Sequence, residues 1–366
     1  MITRYFILVP LWASSFALCA QSQTPKQLPA TDTSINGPSS LALDGHGHLF
    51  VIEGDENRVL SLDLQKGTIT IVAGNGKDCC YQNGSKATEV SLGDLRSIVT
   101  DSVGNIFLAD NGSVRKIDMR SGAISTVAGD GAAGNAPQET STTSARFQPV
   151  SLAVDPGGNL FFSENAQIFR INMDSKVVDV AAGNGRRGFS GDDGPALDAS
   201  FAFPYIAFDK SGNLIVSDGE NCRIRRIDHM TGRINTIALT YRAGDNCSER
   251  PAGGGFGPGP YPAEVALDTA GNIYFVERGR NRVFRIDAQT SAVSVFAGTG
   301  ERGFKGDGGP ARRAELASPS GLAIDAGGNM YIAESVNNRI RRVDSKTGII
   351  TTVAGNGLPH RVDLHP

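Results

Sequence analysis

The amino-acid sequence predicts an all-β protein, a six-bladed β-propeller of four-stranded antiparallel blades. Two observations support this fold: a short motif occurs six times at nearly even spacing, and each repeat unit contains four strand-like segments separated by turn residues. Many short strands at even spacing are typical of propellers. No segment shows helical periodicity of useful length, so folds that alternate helices with strands are not expected.

The repeated motif is an apolar strand, a turn that reads D-x-x-G-N in five copies, and a second apolar strand. Its first copy is LALDGHGHLFVIE from Leu41 and its last is LAIDAGGNMYIAE from Leu322. Successive motif aspartates are 57, 54, 54, 59 and 57 residues apart, which indicates duplicated units. These aspartates are Asp44, Asp101, Asp155, Asp209, Asp268 and Asp325.

Each segment of the unit has residues suited to its place. The first strand carries a small residue, such as Ala42, because a tapering ring leaves little room near the axis. In the next turn the aspartate can accept a hydrogen bond from the backbone two residues on, and a glycine such as Gly47 can take a positive φ. The second strand is apolar on both faces, the third alternates as in RIRRID from Arg223, and a D-x-x-[ST]-G turn leads to the fourth.

The stretch PSGLAIDAGGNMYIAESVNNRIRRVDSKTGIITTVAGNG, from Pro319 to Gly357, resembles an NHL repeat of the kind found in teneurin-like and bacterial secreted proteins. The resemblance covers about residues 37–357 in six copies and implies a six-bladed propeller. It does not imply one function, because similar propellers serve in adhesion, sensing and several unrelated enzymes. The expected blades are about 37–76, 95–131, 149–185, 204–239, 262–300 and 319–357. How the ring closes, and whether residues 25–36 add a strand, stays open.

The N-terminus has the features of a signal peptide: a positive start, an apolar stretch, and small residues for cleavage near Ala20. A lipoprotein signal would need a small residue where Leu18 stands before Cys19. We therefore expect residues 1–20 to be removed, residues 21–36 to form a linker and residues 358–366 a tail. The protein would be exported, either to the periplasm or out of the cell.

Composition narrows the partners. The formal net charge is −3 with both signs dispersed, which gives no footprint for nucleic acid or an anionic membrane. Outside the signal, no segment has the roughly 18 consecutive apolar residues of a membrane helix. We expect a monomer with no membrane span in the mature chain and an unknown protein or glycan as partner.

Export makes the cysteines candidates for disulfides. Cys222 and Cys247 could close a loop around blade four, worth on the order of 3 kcal/mol by the chain-entropy model. Cys79 and Cys80 are adjacent, and either a vicinal disulfide or two free thiols fits that arrangement. The pair lacks the ligand spacing of a zinc site.

Two glycine-rich stretches, AGNGRRGFSGDDGPA from Ala182 and AGTGERGFKGDGGPA from Ala297, contain or approach the G-x-G-x-x-G pattern of dinucleotide-binding loops. That pattern needs a helix directly after it to hold the pyrophosphate, and the residues that follow here break helices. We interpret both as connectors between blades. An apolar anchor eight or nine residues before the motif aspartate marks four connectors: Leu92, Phe147, Phe201 and Leu316.

The long connectors would crowd one face of the propeller, because fourth-to-first and second-to-third loops share a face in propellers of this kind. Long loops on a rigid scaffold often carry binding residues. The connectors are 77–94, 132–148, 186–203, 240–261 and 301–318, and the ligand-binding candidates are Arg186, Arg187, Phe189, Arg302, Phe304 and Lys305. The structural alternative is that the phenylalanines pack the loops down while the arginines, with Arg312 and Arg313, pair with Asp192 and Asp307.

A carboxylate ends every second strand: Glu53, Asp110, Glu164, Asp218, Glu277 and Glu334. Carboxylates near the axis are weak candidates for a Ca²⁺ or Mg²⁺ site. Recurrence in every blade favours a structural group instead, since a site would draw different residues from different blades.

No catalytic constellation is evident. Related propeller lyases use histidines near the axis, and gluconolactonase-like hydrolases use an unsymmetrical Glu/Asn/Asp cluster around a divalent ion. The five histidines here are His46, His48, His229, His360 and His365, and no three are expected to converge. We therefore expect an exported, non-catalytic scaffold that binds a protein or glycan through the connector-bearing face and needs no cofactor. The alternative is a metal-dependent lactonase-like or lyase-like enzyme with its site at the axial mouth.

Overall fold

The computed structural model describes residues 28–77, 83–130, 140–141, 146–175, 177–240 and 261–358. The expected signal peptide and most of the tail lie outside these ranges, as do Cys79, Cys80 and Cys247. Within them the chain forms six antiparallel sheets and six short 3-10 turns. No helix in the described ranges is long and apolar enough to cross a membrane.

The strands follow one another as six four-stranded meanders, with a short extra strand on two of the sheets. The first two sheets contain β1 (Leu28–Pro29), β2 (Pro38–Leu43), β3 (His48–Glu53), β4 (Arg58–Asp63), β5 (Thr68–Ala73), β6 (Leu95–Thr100), β7 (Ile106–Asp110), β8 (Ser113–Asp118) and β9 (Ala123–Ala128). The next two contain β10 (Thr140–Ser141), β11 (Ser151–Val154), β12 (Leu160–Glu164), β13 (Gln167–Asn172), β14 (Val177–Ala182), β15 (Pro204–Phe208), β16 (Leu214–Asp218), β17 (Arg223–Ile227) and β18 (Ile234–Leu239). The last two contain β19 (Pro262–Leu267), β20 (Ile273–Glu277), β21 (Arg282–Ile286), β22 (Val293–Ala297), β23 (Pro319–Ile324), β24 (Met330–Glu334), β25 (Arg339–Val343) and β26 (Ile350–Ala354).

The first strand of each meander lies innermost, and the six inner strands contact one another around a closed ring. The 3-10 turns lie within connectors or between second and third strands. They are Ala30–Asp32, Gly54–Glu56, Ala196–Asp198, Gly219–Asn221, Arg278–Arg280 and Ala311–Arg313. The predicted six-bladed propeller of four-stranded antiparallel blades is confirmed.

The turn chemistry expected from the motif is present. In blade four, Asp209 Oδ1 accepts hydrogen bonds from the backbone of Ser211 at 2.9 Å and of Asn213 at 2.8 Å. Gly212 in the same turn has a φ of 82°, a left-handed conformation that glycine adopts without steric cost. In blade one His48 replaces the asparagine, and its Nδ1 lies 2.7 Å from Asp44 Oδ2, so the ring takes over the missing amide's contact.

Apolar cores lie between neighbouring blades, because each blade presents apolar side chains on both of its faces. One core cluster joins Phe50 and Ile52 of blade one to Ile98 and Leu108 of blade two. The four predicted connector anchors are all buried within such clusters. Burying a leucine or phenylalanine fully is worth about 1.5–3 kcal/mol, so each anchor fixes its connector between two blades. The anchors and their exposures are Leu92 (1%), Phe147 (0%), Phe201 (0%) and Leu316 (0%).

The connectors do more than cross one face: they continue along the outer edge of the next blade. Pro195 bridges to Arg233 and Pro310 to Ile349, each antiparallel to a fourth strand. Backbone bonds such as Asp193 N to Ile234 O at 2.8 Å hold this extra edge in place. An uncovered outer strand would expose unpaired backbone groups to other chains. Equivalent segments cover blade one through β1, blade two through residues 84–87 and blade three through β10.

Ring closure uses the same device. Residues 28–36, assigned above to a linker, are part of the propeller: β1 pairs with β5 in blade one, and Ile35 is fully buried. The backbone N–H of Gly355 donates to Ala30 O at 2.9 Å, and that of Asn356 to Thr33 O at 3.1 Å. Gly183 and Asn184 make the same pair of bonds to the next connector. The segment is therefore a sixth connector, and the propeller begins no later than residue 28.

Candidate binding face

The connectors and the second-to-third turns lie on one side of the propeller, called here the connector face. Two asparagine side chains join them: Asn221 Nδ2 donates to Gly188 O at 2.8 Å, and Asn337 Nδ2 donates to Gly303 O at 2.7 Å. The first-to-second and third-to-fourth turns lie on the opposite face. Because the connectors are bonded to the turns beneath them, the surface that they form is fixed by the scaffold.

Two exposed stacks of phenylalanine on arginine stand on this face. The Arg223 guanidinium lies 3.6 Å from the ring centroid of Phe189, and that of Arg339 lies 3.7 Å from the centroid of Phe304. The phenylalanines are 42% and 39% exposed. They therefore pack on the loop beneath them and also present a flat apolar surface to solvent, so the two interpretations offered for them hold together.

The charged candidates differ in their contacts. Arg187 Nη2 lies 2.7 Å from Glu220 Oε2, and its guanidinium is 4.3 Å from the Phe203 centroid. Lys305 Nζ lies 3.4 Å from Glu315 Oε1. Arg186 and Arg302 are exposed. All six candidates lie on the connector face, in two equivalent groups carried by the connectors that precede blades four and six.

The expected pairing of connector arginines with Asp192 and Asp307 is wrong. Asp192 Oδ1 lies 2.7 Å from Arg225 Nη2, and Asp307 Oδ1 lies 2.7 Å from Arg341 Nη2. Both partners are third-strand arginines that are fully buried. The connector runs down the outer edge of the blade, so its aspartate reaches the blade interior. The exposed connector arginines point elsewhere.

The second-strand carboxylates bind connector backbone. Gln148 N donates to Glu164 Oε1 at 2.9 Å and Ala202 N donates to Asp218 Oδ1 at 2.8 Å, with equivalent bonds to Glu53, Asp110 and Glu334. Arginines also face four of them: Arg58 lies 2.8 Å from Glu53, Arg115 3.5 Å from Asp110, Arg225 3.4 Å from Asp218 and Arg341 3.4 Å from Glu334. Glu277 Oε1 lies 4.0 Å from Arg280 Nη1.

Burial dominates the acidity of these groups. It raises the pKa of Asp218 to about 6, against the opposing hydrogen bonds from Asn221 and Ala202 and the charge of Arg225. It raises the pKa of Glu164 and of Glu334 to about 7. In Glu164 only the bond from Gln148 opposes burial. The described residues contain no group of three histidine, cysteine or acidic side chains that could hold a metal ion.

A second group of polar residues, which sequence reasoning missed, lies where the axis opens on the connector face. At one position of the inner strands a serine bridges to the next blade: Ser97 Oγ accepts a bond from Leu152 N at 3.0 Å. In blade six this position is Gly321, where a Cβ would lie 2.3 Å from Ser39 O, so a side chain does not fit. The six residues at this position are Ser40, Ser97, Ser151, Tyr205, Glu264 and Gly321.

Tyr205 and Glu264 therefore break the small-residue pattern in adjacent blades. Burial raises the pKa of Glu264 to about 7, opposed by the charge of Arg278. Burial also raises the pKa of Tyr205, on which the charges of Arg278, Glu264 and Arg96 all act. Arg96 is itself bonded to Asp94, with Nη2 at 2.6 Å from Oδ2. We call Tyr205, Glu264, Arg278 and Arg96 the axial cluster; the departure from serine and glycine was its sequence signal.

The histidines within the described residues lie away from both groups. His46 and His48 belong to the first-to-second turn of blade one, and His229 packs beside Gly212 in blade four. All three are on the opposite face. The connector face instead combines arginine, carboxylate and aromatic side chains, which suits recognition by stacking and charged hydrogen bonds.

Comparison with known proteins places this surface on a defined class of scaffold. Residues 264–362 match the family model described as the teneurin NHL domain. The chain is 26% identical over 333 residues to SUPPRESSOR OF QUENCHING 1 of Arabidopsis thaliana, covering 87% of this chain and 26% of that protein. It is 24% identical to human teneurin-4, covering 84% of this chain and 10% of that protein. The protein is a six-bladed β-propeller built from NHL repeats, and it spans only about a quarter or less of these relatives.

Solved structures share the fold. A protein of unknown function from Bacteroides thetaiotaomicron aligns with a TM-score of 0.60 at 16% identity, covering 87% of this chain and 72% of that one. An auxiliary nutrient binding protein from the same organism aligns at 0.57 and 17%, covering 87% and 70%. A streptogramin B lyase aligns at 0.51 and 15%, covering 92% and 87%. At these identities the likeness concerns the fold alone.

Proposed function

We propose that this protein is an exported, non-catalytic scaffold that binds a protein or glycan through its connector face. The observation that carries the proposal is the pair of exposed phenylalanine–arginine stacks, Phe189 on Arg223 and Phe304 on Arg339. Aromatic and arginine side chains dominate the binding energy of protein interfaces, and rings also stack on sugars. A solved neighbour described as a nutrient binding protein has the same fold, which is compatible with a binding role.

Anchoring of the loops adds to this support. The stacked phenylalanines sit on connectors that Arg225 and Arg341 clip to the blades. A preformed surface loses little conformational freedom when it binds. The equivalent stacks on alternate blades also offer a partner two similar contacts, which increases avidity when both are engaged.

The test is a comparison of two surface variants of the mature chain. One carries Phe189→Ala and Phe304→Ala on the connector face; the control carries Val103→Ala and Met230→Ala, which are 75% and 87% exposed on the opposite face. Binding to a glycan array and to envelope proteins captured by crosslinking would be measured with unmodified protein alongside. We expect the first variant to lose at least tenfold of the signal and the control to keep it. Equal retention by both would remove the connector face as the binding surface.

The second candidate, a metal-dependent lactonase-like or lyase-like enzyme, is favoured by the unsymmetrical axial cluster. The second-strand carboxylates give it less support, because connector backbone and arginines already occupy most of them. A ligand specific for the native state raises the melting temperature. We would follow unfolding of chelator-treated protein against Ca²⁺, Mg²⁺, Mn²⁺ and Zn²⁺. A saturable rise abolished by Glu53→Gln or Glu277→Gln would favour the enzyme; no change supports the scaffold.

A disulfide between Cys222 and Cys247 is part of the same proposal, since it requires an oxidising compartment. Cys222 is fully buried directly before β17 and is disulfide-bonded, while Cys247 lies outside the described residues. Peptide mapping of protein recovered from culture without reduction would identify the partner, and a peptide joining residue 222 to Cys79 or Cys80 would refute this pairing. Sequencing the N-terminus of the same sample tests cleavage near Ala20.

A further inference from the structure

The axial cluster has the composition of a small-molecule site, separate from the exposed stacks. Phe189 lies over Arg223 at the start of the third strand of blade four, two strands outward from Tyr205 on the inner strand. The cluster thus occupies the centre of the connector face, and the stacks lie further out. A site with few convergent polar groups of differing chemistry is the usual pattern of small-ligand pockets.

Its position gives it room that the other blades lack. Where Tyr205 and Glu264 stand, Ser97 and Ser151 use their hydroxyls to bond the next inner strand. Those short contacts close the gap between blades two, three and four. Between blades four and five the strand bulges after Pro262 instead of pairing continuously with β20, and Glu264 lies in that bulge. Bulges commonly redirect a side chain towards a site.

The side chains of the cluster are half-buried although protein surrounds them, as expected for groups lining a narrow opening. Tyr205, Glu264 and Arg278 are each partly accessible, and Arg96 is exposed across the ring on blade two. Arg278 acts on both Tyr205 and Glu264. A guanidinium, a carboxyl group and a phenol therefore face a common space from three blades.

We propose that the axial cluster binds a small acidic carbohydrate, a sugar that carries a carboxylate. Arg278 holds the ligand carboxylate, because the planar guanidinium matches a carboxylate with two parallel hydrogen bonds. Glu264 accepts hydrogen bonds from sugar hydroxyls, and Tyr205 contributes its hydroxyl and the face of its ring. Arg96, although paired with Asp94, adds positive potential on the opposite side of the opening. This site goes beyond the proposed function, since it needs neither Phe189 nor Phe304.

The test is isothermal titration of the mature chain with D-galacturonate and D-glucuronate, each compared with its neutral counterpart, galactose or glucose. We expect at least one uronate to bind saturably and at least tenfold more tightly than the neutral sugar. Arg278→Gln should abolish that preference, while Glu264→Gln and Tyr205→Phe should weaken binding of the uronate about fivefold. Arg186→Gln is the matched control, because it removes one exposed arginine from the same face and should leave binding unchanged.

Three results would overturn the proposal. The first is that neither uronate binds at tens of millimolar while the protein melts cooperatively. The second is equal binding of acid and neutral sugar, which removes the role of Arg278. The third is equal weakening by Arg186→Gln and Arg278→Gln, which would indicate general charge attraction. The Phe189→Ala, Phe304→Ala variant should still bind the uronate, so failure of the connector-face proposal can be distinguished from failure of this one.

Discussion

Blades two, four and six hold their connectors differently from blades one, three and five. In the even blades the middle of the third strand is a fully buried arginine, which reaches a connector side chain: Arg225 bonds Asp192, Arg341 bonds Asp307 and Arg115 approaches Asn83. In the odd blades the same position is apolar. The residues are Leu60, Phe169 and Phe284 in the odd blades and Arg115, Arg225 and Arg341 in the even ones.

Aromatic packing replaces the arginine in blade three. Phe162 lies between the connector anchor Phe147, with centroids 4.5 Å apart, and Phe169, at 5.0 Å. In blade five Phe275 and Phe284 stack at 5.4 Å. One backbone arrangement is thus stabilised by ion pairs in half of the blades and by apolar contact in the other half. The propeller is a ring of three blade pairs, and the two kinds of blade should respond differently to substitution, salt and pH.

The largest expected difference comes from removing the central residue of each kind of blade. Arg225→Met leaves Asp218 and Asp192 without their cation, and breaking a buried ion pair on one side costs about 3–5 kcal/mol. Phe169→Met keeps an apolar side chain of similar volume and should cost less than about 1.5 kcal/mol. Urea unfolding of both variants measures the difference. Equal losses would mean that the two blade types are energetically alike.

Exchanging the connector partner should have a smaller effect. Asp192→Asn imitates blade two, where Asn83 Oδ1 accepts Thr126 N at 2.9 Å, and should cost about 1 kcal/mol at pH 7. Burial opposes ionisation of Asp192, but hydrogen bonds from Thr236 and Arg225 outweigh it and lower its pKa. The aspartate's advantage is therefore present above its unfolded pKa near 3.8 and is lost as pH falls through the lower folded value.

The reciprocal change, Asn83→Asp, sharpens this comparison. It supplies Arg115 with the charge that Arg225 and Arg341 already have, and should gain up to about 1 kcal/mol at pH 7. Urea unfolding between pH 3 and 7 would be measured for both variants. A gain from Asn83→Asp that persists below pH 3 would contradict an ionic origin.

The smallest effect is expected at Glu164 in blade three, where the facing third-strand residue is Phe169 and not arginine. Because burial raises its pKa to about 7, the folded state favours the protonated form. Its contribution to stability is fully present below the unfolded pKa near 4.5 and is lost as pH rises through about 7. Glu164→Gln should therefore stabilise the protein on the order of 1 kcal/mol at pH 8 and make no difference at pH 4. A variant less stable than the wild type at pH 8 would contradict this.

The blades and their turns could be predicted from sequence because they are local. A D-x-x-G-N turn needs only an aspartate and a glycine at fixed spacing, and both are visible in the chain. The connector anchors were also visible. Ile35 stands nine residues before Asp44, as the other anchors stand before theirs, so the sixth connector carried the same signal as the rest.

The site residues depend on contacts between distant parts of the chain. Asp192 was expected to pair with nearby arginines, but the connector's course along the outer edge brings Arg225 to it, 33 residues away. The axial cluster joins Arg96, Tyr205 and Arg278 from three blades, and only the ring brings them together. Its signal was a break in a repeated position, which becomes informative once that position is known to face the axis.

Closure of the ring by residues 28–36 sets an order of events during biosynthesis. Ala30 and its partner Gly355 are 325 residues apart (355 − 30). At roughly 5–20 residues per second, the first partner waits about 16–65 s for the second. During that interval blade one has its four strands but no neighbour on one side, and Ile35 has no complete pocket. A chain that stops before β26 can never bury this segment, so the oldest part of the molecule reports whether the newest part has been made.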